Sequence, residues 1–146
     1  MLLYGHTIDE EMNMKKGFTL IELLAVIVIL AIIALIATPV VLGIINDSKK
    51  SATVRSAEFY LDAVVNSIMT ENMNNSGDFN PSACMVNTQG NIICDGVNEP
   101  IAIEVEGQKP ISGEFMLENG KIREVTLIFE NGTIAMDTNN ELVYQD

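Results

Sequence analysis

The chain has 146 residues, enough for about one domain, and carries 20 acidic against 8 basic residues, a net charge of −12. Affinity for nucleic acid comes largely from Lys and Arg that neutralise phosphates, so this balance argues against a nucleic-acid-binding surface. The acidic residues instead predict a soluble, solvated head. Binding of a cation or of a basic partner stays open.

Residues that carry catalytic or metal chemistry are few. The single histidine is His6, and the two cysteines, Cys84 and Cys94, form no CxxC pair. A thiolate metal site is therefore not predicted. There is no glycine-rich phosphate loop and no nucleophile with an evident base, so we assign no catalytic residue, metal or cofactor. Glu104 and Glu106 would share one face of a strand, a spacing that permits a calcium site without arguing for one.

Residues 18–45 form an apolar run that is long enough to span a membrane. As a helix the run would extend ~42 Å, beyond the ~30 Å hydrocarbon core of a bilayer. Within it, residues 23–37 carry no polar side chain, so a helix here would be apolar on every side rather than along one stripe. That pattern indicates burial all round. A secretory signal peptide is disfavoured, because the run is longer than the apolar region of such a peptide, lacks an A-x-A cleavage pattern and has a carboxylate near its start. A plain N-terminal membrane anchor stays open.

The carboxylate near the start of this run is Glu22. A carboxylate near the centre of a transmembrane helix costs about 3 kcal/mol, although Glu22 is close enough to the end to reach the interface. Two interpretations stay open: a Glu satisfied by interfacial water, or a Glu whose cationic partner arrives on assembly. Cleavage between Gly17 and Phe18 would create such a cation, an α-ammonium about one helical turn from Glu22.

The stretch GFTLIE at residues 17–22, with two lysines before it and the apolar run after it, resembles the class III signal and N-terminal helix of type IV pilins and pseudopilins. The resemblance covers about residues 15–60. It implies that a prepilin peptidase cleaves after Gly17 and methylates the amine of Phe18. It also implies that Glu22 pairs with that amine on an adjacent subunit, and that the subunit waits in membrane lipid before joining an inner-membrane assembly platform.

The resemblance extends to Pro39, which matches the helix-kinking proline of the family. Proline removes one backbone hydrogen bond and Gly43 weakens the next turn, so a bend is expected here. Residues 1–13 depart from the family, whose leaders are usually short and basic, because this stretch is acidic. Met14 is therefore a candidate true start, and the leader at residues 1–17 would shorten to MKKG with the cleavage site unchanged.

A second helical pattern follows, over residues 46–73. Apolar side chains at spacings of three and four predict one buried stripe, formed by Val54, Ala57, Leu61, Val64 or Val65, and Ile68. Residues 71–82 are rich in Asn, Ser, Gly and Pro and predict a loop. The fold class is therefore α+β. A long N-terminal helix, apolar in its first half and amphipathic in its second, packs on a small antiparallel sheet within residues 74–146.

The sheet is predicted from β-rich runs at residues 101–107, 113–137 and 141–145. Asn-Gly pairs at 119–120 and 131–132 are strong hairpin signals, because both residue types tolerate positive φ.

A two-residue loop at the second Asn-Gly pair would set Phe129 opposite Ile134. At the first pair the register stays open between a two-residue loop and a three-residue loop that pairs Phe115 with Val125.

Cys84 and Cys94 would lie opposite each other in a hairpin with its loop at residues 88–90, at a non-hydrogen-bonded pair close enough for a bridge. If the head lies outside the membrane, a disulfide is the preferred interpretation over two separate small core residues. The familiar disulfide of the pilin family brackets a long C-terminal loop instead, so the resemblance gives this pair no support.

The expected function is assembly. The chain would be a subunit of a type IV pilus or a pilus-like filament, anchored by one cytoplasmic-membrane span with its head outside the cytoplasm, and displayed at the cell surface afterwards. Two alternatives stay open: a pseudopilin of type II secretion or competence DNA uptake, and a simple single-span surface protein.

Overall fold

The computed structural model describes residues 17–74 and 79–145, so residues 1–16 of the predicted leader and part of the predicted 71–82 loop lie outside it. The described elements are α1 (Leu20–Asn74), β1 (Ala83–Val86), β2 (Ile92–Cys94), β3 (Ser112–Glu118), β4 (Lys121–Phe129), β5 (Gly132–Met136) and β6 (Leu142–Gln145). The strands form one antiparallel sheet in the order β2-β1-β3-β4-β5-β6. The predicted α+β class, a long N-terminal helix with an antiparallel sheet, is confirmed.

The chain divides into two compact units, residues 1–41 and 42–146. The described part of the first unit is the start of α1 with the residues just before it, and its side chains are exposed throughout. The most apolar 18-residue window of α1 has a mean hydropathy of 3.2, and none of that window is buried. By length and composition this helix can cross a membrane, and it lacks the cover expected of a core helix in a soluble protein.

In the second unit, α1 buries one stripe of side chains in the core of the head. The buried residues of the helix are Thr53, Ala57, Tyr60, Leu61, Val64 and Ile68. The predicted stripe is confirmed at Ala57, Leu61, Val64 and Ile68, whereas the predicted Val54 is only partly buried and Thr53 takes its place. Tyr60 was not predicted; its hydroxyl donates to the Gly90 carbonyl at 3.0 Å, and burial raises its pKa. A buried phenol needs such a partner, so Tyr60 fixes the helix against the β1–β2 loop.

The register between β3 and β4 combines features of both predicted alternatives. The loop is the two-residue Asn119-Gly120, with both residues at positive φ, so Glu118 pairs with Lys121. A β-bulge then adds Arg123 to β4, and beyond it Phe115 pairs with Val125. The bulge lets the tight turn and the apolar face coexist.

The predicted register between β4 and β5 is wrong by two residues. Phe129 pairs with Gly132 rather than with Ile134, so the loop is Glu130-Asn131. Because side chains alternate with period two, this shift leaves the buried residues on the same face. Tyr144 of β6 contacts the observed turn: it donates its hydroxyl to the Asn131 carbonyl and fills the space that a Cβ at position 132 would occupy.

Residues 101–107, predicted as β-rich, form no strand. Ile101 makes an isolated bridge to Ile92, with backbone hydrogen bonds of 2.8 and 3.0 Å, and the ladder stops there. Ile103 is fully buried and donates its N–H to the Asn91 side chain. The alternating pattern therefore reflects the packing of side chains in a loop rather than a strand. Pro100 has no N–H to donate, which limits backbone pairing at this point.

Candidate processing and assembly site

The bond between Gly17 and Phe18 lies ahead of the helix. Residues 17–19 are non-helical and exposed, and the Phe18 side chain is 88% exposed. Apart from its immediate neighbours in the chain, no described residue has an atom within 4 Å of the position that a Cβ on Gly17 would take. The predicted cleavage junction is therefore an accessible, irregular segment directly before α1.

Glu22 and Thr19 close the N-terminus of α1 in a reciprocal arrangement. The Thr19 hydroxyl and the Thr19 N–H donate to Glu22 Oε2 at 2.7 and 2.8 Å. The Glu22 N–H donates to the Thr19 hydroxyl oxygen at 3.3 Å. This is a capping box, in which Thr at the N-cap position and Glu three residues later satisfy backbone donors that the helix leaves free.

The capping box gives Glu22 a third role that the sequence reasoning missed, although the pattern T-x-x-E at residues 19–22 signals it. Only Oε2 of the carboxylate takes part; among the described residues, Oε1 accepts no hydrogen bond. Thr19 lies after the predicted cleavage bond, so processing would leave the box in place. One oxygen of Glu22 is thus used within the chain and the other stays available to a donor.

The predicted bend region is continuous helix in secondary structure, since α1 runs through Pro39 and Gly43. The Thr38 hydroxyl donates to the Ala34 carbonyl at 2.7 Å. Back-bonding of this kind often bends helices, and a proline ring leaves one further carbonyl without its usual N–H. A bend at Pro39 and Gly43 stays a prediction.

A family model, described as the prokaryotic N-terminal methylation motif, matches residues 12–38. The chain carries this class III signal. The signal and the α+β architecture together fit the type IV pilin family, and the head is pilin-like in fold. Comparisons with characterised proteins and with solved structures gave no significant match.

The signal bears on location and processing in this pilin-like chain. With the apolar start of α1, it indicates membrane anchoring before assembly. It also implies processing by a prepilin peptidase and assembly with other pilin subunits. Motif and fold point to a structural rather than an enzymatic protein.

Cys84 and Cys94 are joined as a disulfide across the β1–β2 hairpin, with their Cα atoms 4.0 Å apart. Backbone hydrogen bonds join the adjacent pair, Ala83 with Asp95, and the pair three residues further along, Asn87 with Asn91. Because hydrogen-bonded pairs alternate along an antiparallel ladder, the cysteines occupy a non-hydrogen-bonded pair. Both are buried, at 1% and 4% exposure. The bridge closes the edge of the sheet beside the head core.

Loss of this bridge has a defined expected cost. Cys84→Ser should lower the free energy of unfolding by about 2–3 kcal/mol under oxidising conditions, because the bridge restricts the unfolded chain. Thermal unfolding of the full-length protein in detergent, with and without a reductant, measures it. Under reducing conditions wild type and variant should unfold together; an equal loss in both conditions would show that the thiols act only by packing.

Two aspartates of the head are satisfied within the chain. Asp95 accepts hydrogen bonds from the Ser82 hydroxyl and from the backbone N–H groups of Ser82 and Ala83, which lower its pKa. Asp137 accepts from the N–H groups of Glu141 and Asn139, which also lower its pKa. Across residues 17–74 and 79–145, no three His, Cys, Asp or Glu side chains gather in a way that would hold a metal ion.

Proposed function

We propose that this protein is the structural subunit of a type IV pilus or pilus-like filament. It waits in the cytoplasmic membrane on the apolar half of α1, with its head outside the cytoplasm. A prepilin peptidase cleaves after Gly17 and methylates the new amine of Phe18. Copies then bundle their apolar helices through the assembly platform, and the heads face water at the cell surface.

The observation that carries this proposal is the match of the methylation motif to residues 12–38, which includes the start of α1, whose apolar window nothing in the described chain covers. An uncovered apolar surface of this extent needs lipid or other helices around it. A simple anchor would use lipid alone, and would make both the motif and the carboxylate of Glu22 coincidental.

Glu22 is proposed to set the register between neighbours. Its Oε2 is occupied by Thr19, and its Oε1 has no partner among the described residues. In an apolar bundle, charge pairing is much stronger than in water, so the methylated ammonium of a neighbour's Phe18 is a fitting donor for the remaining oxygen. A bend at Pro39 and Gly43 would let the helix follow its neighbours in the bundle.

The mature N-terminus tests the proposal. Intact-mass and N-terminal peptide mass spectrometry of the protein from its native cell envelope should show a chain that begins at Phe18 with one added methyl group. An unprocessed chain that still carries MKKG would overturn it in favour of a membrane anchor. Abundance in sheared filaments then separates a major pilin from a pseudopilin, because a major pilin should dominate that fraction.

A further inference from the structure

The apolar run of α1 ends at Ile45, and polar side chains follow at Asn46 and Asp47. In a subunit that waits in a membrane, this change marks the level at which the helix leaves the hydrocarbon and enters the layer of lipid headgroups, which is about 5–7 Å thick. At 1.5 Å per residue, Ser48 and Ser51 lie about 4.5 and 9 Å beyond Ile45 along the helix. Both serines therefore lie within this layer or close to its outer limit.

An open depression of about 460 Å³ begins at this level on one side of the helix. Ile44, Ser48, Ser51 and Arg55 follow one another at spacings of four, three and four residues, which places them in one exposed row. The full lining is Ile44, Asp47, Ser48, Ser51, Ala52 and Arg55. The depression is therefore apolar at its membrane end and cationic at the end towards the head.

The hydrogen-bond donors of this depression are free. The hydroxyls of Thr53 and Ser56 donate to the carbonyls four residues back, at 2.9 and 3.0 Å. Those of Ser48 and Ser51 donate to none of the described residues. The Arg55 guanidinium likewise forms no hydrogen bond or ion pair with the described part of the chain. Two hydroxyls and a guanidinium thus face the same space without a partner.

This set of donors suits a phosphodiester. A guanidinium presents its N–H groups in a fixed fork that matches two phosphate oxygens, and hydroxyls supply further donors. The side chain of Arg55 is directed back towards the start of the helix, and its length lets the charged end reach the membrane surface. Ile44, at the other end of the depression, offers an apolar contact to the acyl chains of the same lipid.

Asp47 restricts which headgroup fits. It lines the same depression as Arg55, and its carboxylate is unpaired within the described residues. A carboxylate here repels a headgroup that carries only negative charge, and the net charge of −12 on the chain adds to that repulsion. A headgroup that joins its phosphodiester to an ammonium provides an opposite charge for Asp47 as well as for Arg55.

We propose that this depression binds the headgroup of a zwitterionic phospholipid, with the phosphodiester on Ser48, Ser51 and Arg55 and the ammonium beside Asp47. The site is continuous with the apolar helix surface that the bilayer covers, so a lipid of the adjoining leaflet can fill it without leaving the membrane. The inference rests on the membrane-bound stage of the proposed function, and it adds the lipid that the waiting subunit holds.

Lipid retention by the full-length protein tests the site. The protein is placed in bilayer discs with equal amounts of phosphatidylethanolamine and phosphatidylglycerol, and native mass spectrometry then identifies the lipid that stays bound. Wild type should retain phosphatidylethanolamine in preference. Arg55→Gln should lower the retained fraction by at least about tenfold, because it loses the charge-assisted hydrogen bonds to the phosphate. Asp47→Asn should still bind lipid but lose the preference for the ethanolamine headgroup.

Lys49→Gln is the matched control. Lys49 is exposed and directly follows Ser48, but it does not line the depression. The variant therefore removes the same charge at nearly the same level of the helix, and it should retain lipid like wild type. An equal loss in Lys49→Gln and Arg55→Gln would overturn the site, because it would show a general attraction between cations and headgroups. Equal retention of the two lipids by wild type would overturn it as well.

The mature N-terminus separates this test from the test of the proposed function. A chain from the native cell envelope that begins at methylated Phe18, but retains neither lipid in preference, would overturn the lipid site alone. An unprocessed chain that still retains phosphatidylethanolamine through Arg55 would overturn the proposed function and leave a membrane anchor with a lipid site.

Discussion

Glu22→Gln should lower filament yield by at least about tenfold while leaving membrane insertion unchanged or improved. Glutamine serves in a capping box as glutamate does, so the bonds with Thr19 can be kept. What the variant lacks is the negative charge that would pair with a neighbour's Phe18 ammonium. Tenfold corresponds to about 1.4 kcal/mol, a modest loss for an ion pair in a low-dielectric bundle.

Two companion variants separate pairing from capping. Glu22→Ala removes both functions and should assemble no better than Glu22→Gln. Thr19→Val removes the hydroxyl of the capping box but keeps the carboxylate, so its filament yield should stay within about twofold of wild type, since a lost N-cap costs only about 1 kcal/mol of helix stability. The readouts are the sheared filament fraction, the membrane-bound fraction and the mass of the N-terminal peptide.

The N-terminal mass matters because Thr19 and Glu22 lie close to the cleavage bond. A variant that is cleaved and methylated normally but fails to assemble isolates the assembly step. Normal filament yield from a correctly processed Glu22→Gln would count directly against the pairing of Glu22 with the amine, and the carboxylate would then be explained by capping alone.

Features fixed by local pattern could be predicted from the sequence. The apolar run and the stripe through Ala57 and Leu61 depend on residues within a few turns of one another. The capping box of Thr19 and Glu22 is also local, and its pattern was present in the sequence. Hydrophobic patterning does not reveal the box, because a carboxylate in an apolar run is explained equally well by a cationic partner outside the chain.

Features set by residues distant in sequence could not be predicted. The β4–β5 loop is contacted by Tyr144, whose hydroxyl reaches the Asn131 carbonyl from a later strand. A shift of two residues preserves the apolar face, so hydrophobic patterning cannot detect it. The bulge at Arg123 is also a departure from a regular ladder. The two-residue turn sets Glu118 opposite Lys121, the apolar face sets Phe115 opposite Val125, and only an extra residue in β4 allows both.

Gly113→Ala should destabilise the head by overpacking the middle of the sheet. Gly113 lies in β3 between Val86 of β1 and Leu127 of β4. An added Cβ would lie 2.5 Å from the backbone carbonyl oxygen of Thr126 and 2.9 Å from Leu127 Cδ2. A backbone carbonyl held in a ladder cannot rotate away as a side chain can, and Leu127 is fully buried. The substitution should therefore force β3 and β4 apart.

The expected loss is about 1–3 kcal/mol of unfolding free energy, as for other overpacked sites, which corresponds to a melting temperature lower by roughly 5–15 °C. Thermal unfolding of the full-length protein in detergent measures it. Ser112→Ala, at the exposed neighbouring position, should stay within about 0.5 kcal/mol of wild type. Gly120→Ala should be intermediate, because its φ of 74° is strained for alanine while no atom lies within 4 Å. If Gly113→Ala were no worse than Gly120→Ala, the sheet would have to yield at β3, and the close approach of Thr126 would not be what requires glycine there.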